Sequence, residues 1–345
     1  MTGLELLTVG RVSVDLYPQQ SGVPLSGVSS FAKSIGGSPT NVAVAAARLG
    51  RRAAVVTRVG DDGFGEYIRT ALAERFGVVD DYVTVDPKLR TALAFCALDP
   101  PTDPPLLFYR EPRGPDMNLT TGDIPEEAYA VPVLWVTGSR FAQEPSRTAI
   151  RSTLERRSRA EHTVLDLDYR PSFWSSPDEA AEHIGAAVDH ATVAVGNRTE
   201  CEIAVGTADP DRAADRLLDR GVSLAVVKMG ADGVLVATPE GRSSVQPVPV
   251  EVVCGLGAGD ALGGALADGL LAGLDPVEMV TRANAAGAIV AGRLTCADAM
   301  PTTAEIDAVL AGGGAPPPHR AATVPTTGEI DAVLAGEDPS EAGDA

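Results

Sequence analysis

Between Gly255 and Gly273 the sequence reads GLGAGDALGGALADGLLAG, and a few adjacent residues there carry two complementary chemistries. Gly257, Ala258 and Gly259 have almost no side chain, so their N–H groups can converge on an oxyanion at a helix N-terminus. The aligned peptide dipoles place roughly half a positive charge there. Asp260 is the odd member. A carboxylate is repelled by a phosphate, so the role left to it is to take the proton of an attacking hydroxyl. This combination predicts phosphoryl transfer to an alcohol. A purely structural glycine turn has the same composition, and context must separate the two. Two familiar phosphate loops are excluded: no Lys follows Lys228 to complete a P-loop, and Asp260 stands where a dinucleotide fingerprint needs Gly.

Other polar residues gather where strands are expected to end. Asp15 is read as lying just past the carboxyl end of a first strand, the edge at which open α/β sheets bind ligands; it is either a turn residue or an acceptor for sugar hydroxyls. Gly36, Gly37 and Pro39 form a loop. Asn41 then either caps the Ala-rich helix behind it or turns its amide toward a ligand. Asp168, Tyr169 and Arg170 close a later strand, and Asn197 with Glu200 has the spacing of a capping box at a helix start.

The elements that must position these residues follow from periodicity. Apolar runs at Leu4–Gly10, Arg52–Gly60, Val131–Ser139, Ala191–Val195 and Leu224–Lys228 alternate with helical stretches, which predicts an α/β fold with a mainly parallel sheet. The alternating run Val245–Val253 reads as a strand leading into the glycine turn. From Val83 to Asn118 the pattern changes to TALAFCALD and PLLFYREPR, a hairpin suited to a small β-sheet lid. The lid is expected at about 11–35 and 83–118, inside one domain spanning 1–312. Pro301–Gly312, PTTAEIDAVLAG, recurs as PTTGEIDAVLAG at Pro325–Gly336. The first copy is read as the last helix of the fold, and 313–345 as a flexible extension.

A net charge of −19 argues against nucleic acid or an anionic membrane as partner. The four cysteines have no metal-ligand spacing, and no apolar run approaches the roughly 18 residues of a membrane span. A cytoplasmic protein with reduced thiols is expected.

Taken together, Asp15, GGSPTN, TRVGDDGFG, the Asn197/Glu200 pair, VVKMGADG and GLGAGD resemble, in order, the ribokinase-like (PfkB) carbohydrate kinases from about Leu4 to Leu310. Within that family FYREPRGPDMNL, LDLDYRPSFW and GNRTECEIAVG are most similar to the 5-dehydro-2-deoxygluconokinases of myo-inositol catabolism. The resemblance implies a three-layer α/β/α fold with about nine central strands, a β lid that often mediates homodimers, ATP, Mg²⁺ and room for a monovalent cation such as K⁺. It assigns Asp260 as base and Gly257–Gly259 as anion hole. Asn197 and Glu200 would organise Mg²⁺ and phosphates, Lys228 and Gly230 the nucleotide, and Asn284 the adenine. Asp15, Gly36, Gly37, Asn41, Tyr109, Arg110, Asp168 and Arg170 would face the sugar. A keto-acid substrate needs a guanidinium clamp, for which Arg110, Arg113 and Arg170 are the candidates. Cys254 departs from the Asn or Asp usual there, which puts the monovalent-cation site in doubt. The alternatives left open are a 2-keto-3-deoxygluconate kinase, a fructokinase and a non-catalytic sugar-binding regulator.

Overall fold

The computed structural model describes residues 3–20, 23–98, 100 and 104–313. In order the chain runs β1 (Leu6–Val9), β2 (Ser13–Pro18), β3 (Phe31–Gly36), α1 (Ser38–Arg48), β4 (Ala53–Gly60), α2 (Gly63–Thr70), β5 (Val83–Asp86), β6 (Leu93–Cys96), β7 (Leu106–Tyr109), β8 (Val133–Thr137), α3 (Ser146–Arg157), β9 (His162–Asp166), α4 (Pro177–Val188), β10 (Val193–Asn197), α5 (Arg198–Val205), α6 (Pro210–Asp219), β11 (Leu224–Lys228), β12 (Val234–Thr238), β13 (Gly241–Val245), α7 (Ala258–Ala272), α8 (Pro276–Ala291) and α9 (Thr303–Ala308).

Nine strands pair in the order β13-β12-β11-β10-β9-β8-β1-β4-β5, parallel except at β12 and β13. β1 and β8 are buried throughout, which suits apolar runs covered by helices on both faces. Leu6, Trp135 and Val226 pack on one side with α1, α7 and α8, while Leu7, Leu134 and Ala225 pack on the other with α3, α4 and α6. The chain steps outward from β1 through β4 and β5, then returns to β8 and runs on to β13. The crevice between the carboxyl ends of β1 and β8 is therefore the topological switch point, where such sheets bind ligands.

The second sheet has the order β3-β2-β6-β7. It starts later in its second stretch than the sequence suggests. Val83–Asp86 pairs with Thr57–Gly60 in the main sheet, because an edge strand half open to water alternates like a lid strand. Asp15 likewise lies within β2, paired with Ser34, instead of in a turn after the first strand. The expected strand over Val245–Val253 ends at Val245; Pro247 and Pro249 carry no N–H for a ladder, so the segment reaches α7 as an extended loop.

α1 and α7 touch at the backbone. A Cβ built on Gly264 would stand 2.3 Å from the Ala45 Cβ, and one on Gly263 would stand 2.9 Å from the Trp135 ring. The first copy of the repeated segment forms α9, with a capping box between Thr302 and Glu305 and Ile306 buried. The extension from 314, including the second copy, lies outside the described residues.

Candidate active site

α7 begins at Ala258 with Gly257 as its N-cap at φ 81°, a left-handed conformation that favours glycine. Close packing adds a second reason: a Cβ at Gly257 would sit 2.9 Å from the Cys296 sulfur. The turn leaves the first N–H groups of α7 without helical acceptors, and Asp260 projects from the same turn. Its Oδ2 accepts from Asn41 Nδ2 at 2.8 Å, so the residue read as a cap or sugar contact holds the carboxylate, while Asn41 Oδ1 is buried without a partner. Burial raises the Asp260 carboxyl above its ordinary value; hydrogen bonds from Asn41 and Ser38 pull it back, and Asp168 pushes it further.

On one side of this turn, Lys228 ends β11 and Asn197 ends β10. Asn197 and Glu200 do form a capping box: Asn197 Oδ1 accepts from the Glu200 N–H at 2.9 Å, and Glu200 Oε2 accepts from the Asn197 N–H at 2.6 Å. That box also aims Glu200 Oε2 to within 3.6 Å of Lys228 Nζ. Burial alone would lower the ammonium, but Glu200, Asp166 and Asp260 outweigh it and hold Lys228 protonated. A cleft of about 640 Å³ opens beyond, lined by Lys228, Gly230, Pro247, Val250, Asn284 and Gly287. Asn284 donates to the Gln246 carbonyl at 2.8 Å and so ties the proline-bearing loop to α8.

On the other side, charged groups follow the carboxyl ends of β1, β8 and β9. The Gly36–Gly37 turn wraps over this region with no room for side chains: a Cβ at Gly36 would lie 2.0 Å from an Asp15 oxygen, and one at Gly37, at φ 102°, 2.3 Å from the Arg11 carbonyl. Asp15 Oδ1 accepts from Ser13 Oγ at 2.7 Å. Burial lifts its carboxyl to about 6 despite that bond and the nearby Arg11. Asp168 is buried with a positive φ of 24°; it accepts from Ser139 Oγ at 2.6 Å and from Arg170 Nε at 2.9 Å. Burial raises its carboxyl, but Arg170, Arg11, Ser139 and Arg140 together bring it well below the usual range. Arg110 Nη2 bridges both Asp116 oxygens at 2.9 Å, and fully buried Arg140 reaches the same carboxylate at 3.1 Å.

Arg11, Arg140, Asp116 and Asp166 are not singled out by the sequence. Arg11 and Arg140 each follow the end of a central strand by two or three residues, and that position is the available signal. One expected residue is not brought to the cluster, and another stands at its edge. Tyr109 is 58% exposed and packs edge-on against Phe95, on the face of β7 opposite Phe108, which points at Phe173. Arg113 lines a pocket of about 320 Å³ with Phe108, Arg110 and Phe173, and its Nη1 donates to Asn118 Oδ1 and the Glu144 carbonyl. Cys254 is buried with Tyr17, Cys96 and Cys296, so its side chain offers no oxygen to a monovalent cation.

No helix among the described residues is long and apolar enough to cross a membrane. The chain is 33% identical over 308 residues to the 5-dehydro-2-deoxygluconokinase of Photobacterium profundum, covering 87% of this chain and 92% of that one. It is 33% identical over 312 residues to the enzyme of the same name from Geobacillus thermodenitrificans, covering 88% and 92%. Among solved structures, a fructokinase double mutant from Vibrio cholerae O395, bound to fructose, ADP and potassium ion, superposes with a TM-score of 0.79 at 29% identity, over 90% of this chain and 99% of that one. A buried aspartate on a glycine turn, between a cleft of about 640 Å³ and a polar crevice, is thus found in a ribokinase-like fold, and the model of the pfkB family carbohydrate kinases matches residues 4–303: the chain belongs to that family.

Proposed function

We propose that this carbohydrate kinase transfers the γ-phosphoryl group of ATP to the terminal hydroxyl of a sugar acid, 5-dehydro-2-deoxy-D-gluconate, a step of myo-inositol degradation. The observation that carries the substrate class is the crowding of Arg11, Arg110, Arg140 and Arg170, of which three are ion-paired to Asp116 or Asp168 and Arg11 to neither. A neutral sugar offers these guanidinium groups no counter-charge, whereas a carboxylate does; an unpaired buried charge costs several kcal/mol. The names of the relatives point to the same acid.

In this reading Asp260 accepts the hydroxyl proton through its oxygen not held by Asn41, and the N–H groups of Gly257, Ala258 and Gly259 receive the charge developing on the phosphoryl oxygens. Asp15 and the Gly36–Gly37 turn bound the sugar, and Asp168 orients Arg170. Lys228, Gly230 and Asn284 line the nucleotide's cleft. Mg²⁺ arriving with the phosphates would neutralise their charge, and the oxygens of Glu200, Asp166 and Asn197 suit a hard dication. Burial raises the Asp166 carboxyl, Lys228 opposes and Glu200 adds to the rise, so an added cation relieves that site. Potassium has no such support at Cys254. We also assign the lid's outer face, with Leu107 and Tyr109 exposed, to a second copy of the chain; sedimentation of Tyr109→Glu as a dimer would refute that.

The test of function is ADP release with 5-dehydro-2-deoxygluconate, 2-keto-3-deoxygluconate and fructose. The two acids should exceed fructose in kcat/KM by about 100-fold or more. Between the acids the preference should be modest, because one or two hydrogen bonds of about 1 kcal/mol each read the ketone. Fructose as the preferred substrate would move the assignment to a fructokinase.

A further inference from the structure

Arg11 is the one member of the arginine cluster whose guanidinium has no hydrogen-bond or ion-pair partner among the described residues. It is 5% exposed, and its Nε is buried and unsatisfied. Arg110 and Arg140 are engaged by Asp116, and Arg170 by Asp168. Arg11 instead lies between two aromatic rings, its guanidinium carbon 5.5 Å from the centre of Phe108 and 5.7 Å from that of Phe173. Aromatic faces steer a guanidinium without using up its N–H donors.

The backbone beneath it is fixed. Thr40 Oγ1 donates to the Arg11 carbonyl at 2.8 Å, and preceding Gly10, at φ 148°, packs directly on Arg140 and Pro39. The nearest orphaned donors belong to its neighbours, Nη1 of Arg110 and Nε and Nη2 of Arg140. A desolvated guanidinium without a hydrogen-bonded counter-charge is costly, and a ligand carboxylate that supplies one offsets that cost.

We infer that Arg11 is a specificity-determining residue that binds the substrate carboxylate directly, with Arg110 beside it and Arg140 holding Asp116 behind. The inference rests on the sugar-acid reading and adds the group that enforces it. Since Phe108 belongs to lid strand β7 and Phe173 follows β9, Arg11 is clasped between lid and main sheet, so carboxylate binding and lid position are coupled through one side chain.

The experiment compares Arg11→Gln and Arg11→Lys with wild type. It uses steady-state kinetics on 5-dehydro-2-deoxygluconate and fructose at saturating MgATP, and the rise in melting temperature that the acid alone produces. Arg11→Gln should raise KM for the acid about 10- to 100-fold, with a much smaller fall in kcat, and abolish the acid-induced thermal shift. Arg11→Lys should recover part of both. Without ligand, Arg11→Gln removes both a desolvated charge and its attraction to Asp168 and Asp15, so KM and the acid-induced shift decide; a purely structural role predicts both unchanged whatever the melting temperature. If Arg11→Gln does not fold, Arg11→Lys decides: a folded Lys variant with wild-type KM for the acid overturns the inference. A folded Arg11→Gln with unchanged KM and thermal shift overturns it while leaving the sugar-acid reading intact. Failure of wild type to prefer the acid overturns the sugar-acid reading itself, and Arg11 with it.

Discussion

The two ends of the active site are made of different material. In the proposed reading the nucleotide end is largely backbone: a left-handed Gly257, the open N–H groups of α7 and a cleft where Lys228 and Asn284 join small and apolar residues at Pro247, Val250 and Gly287. The sugar end is built from charged side chains delivered by separate segments, with Arg11 after β1, Arg110 and Asp116 after β7, Arg140 after β8 and Asp168 with Arg170 after β9. Backbone donors suit any polyphosphate alike, and few side chains join them, chiefly Lys228 and the Asn197/Glu200 box. Side-chain arginines choose among substrates, at the cost of burying charge before the substrate arrives. General chemistry is assigned to one end and selectivity to the other.

The sharpest way to test that division is at the boundary. Asp260→Asn removes the proton acceptor and keeps the anion hole, so kcat should fall by roughly 100-fold or more while ATP affinity, measured by calorimetry, changes little. A folded variant within about threefold of wild-type turnover would show that the base lies elsewhere. At the sugar end the effects should be smaller and selective. Arg170→Ala and Arg110→Ala should each raise KM for the acid by about tenfold or more and leave fructose turnover, where measurable, nearly alone. Equal losses on acid and neutral sugar would mean that the cluster supports the fold instead of reading charge.

A pH scan sharpens the contrast, since the same buried acids affect rate and stability with opposite sign. Asp260 is raised above an ordinary aspartate, so kcat/KM should begin to fall, as pH drops, earlier than an exposed carboxylate would allow. Asp15 is raised to about 6. Through the window from about 4 to 6 the folded chain holds a proton that the unfolded chain has released, so its contribution to stability falls as pH rises and returns as pH falls. Asp15→Asn should therefore melt a few degrees above wild type near neutral pH and converge with it only below about pH 4. A constant gap across the scan would refute the assignment. The smallest effect is expected at the C-terminal end: truncation after Gly312 should leave turnover and melting temperature unchanged, because α9 already supplies buried Ile306 at the close of the described fold. A marked loss in either would give the second repeat copy a structural task.

What could be read from the sequence divides along the same line. At the proposed nucleotide end the structure does bring together three stretches that the sequence marks, GLGAGD, the Asn197/Glu200 spacing and VVKMGADG, because each is a short local motif. The parallel core was legible because fully buried strands are unbroken apolar runs. The sugar end was legible only where a motif marked it, at Asp168 and Arg170. Nothing local distinguishes Arg11 from a surface arginine, and its company with Phe108 and Phe173 exists only after β1, β7 and β9 are placed. Tyr109 reads as a site residue, but it is its neighbour Phe108 that faces the cluster, since in a strand a shift of one residue changes the face. Val245–Val253 alternates like a strand, yet prolines at 247 and 249 deny it a partner.

The bare contact between α1 and α7 has a consequence of its own. With Gly264 against Ala45, the helices meet without intervening side chains, so the 2.8 Å between Asn41 and Asp260 is a dimension of the scaffold and no adjustable loop sets it. One added methyl there would act as a shim, prising apart the two carriers of the proton acceptor and its holder, although it touches no ligand. Arg11, Arg110, Arg140 and Arg170 stand on segments outside that joint. On the proposed reading, new substrates can therefore be acquired by redrafting one rim of the crevice while the bond that holds Asp260 in place is inherited unaltered.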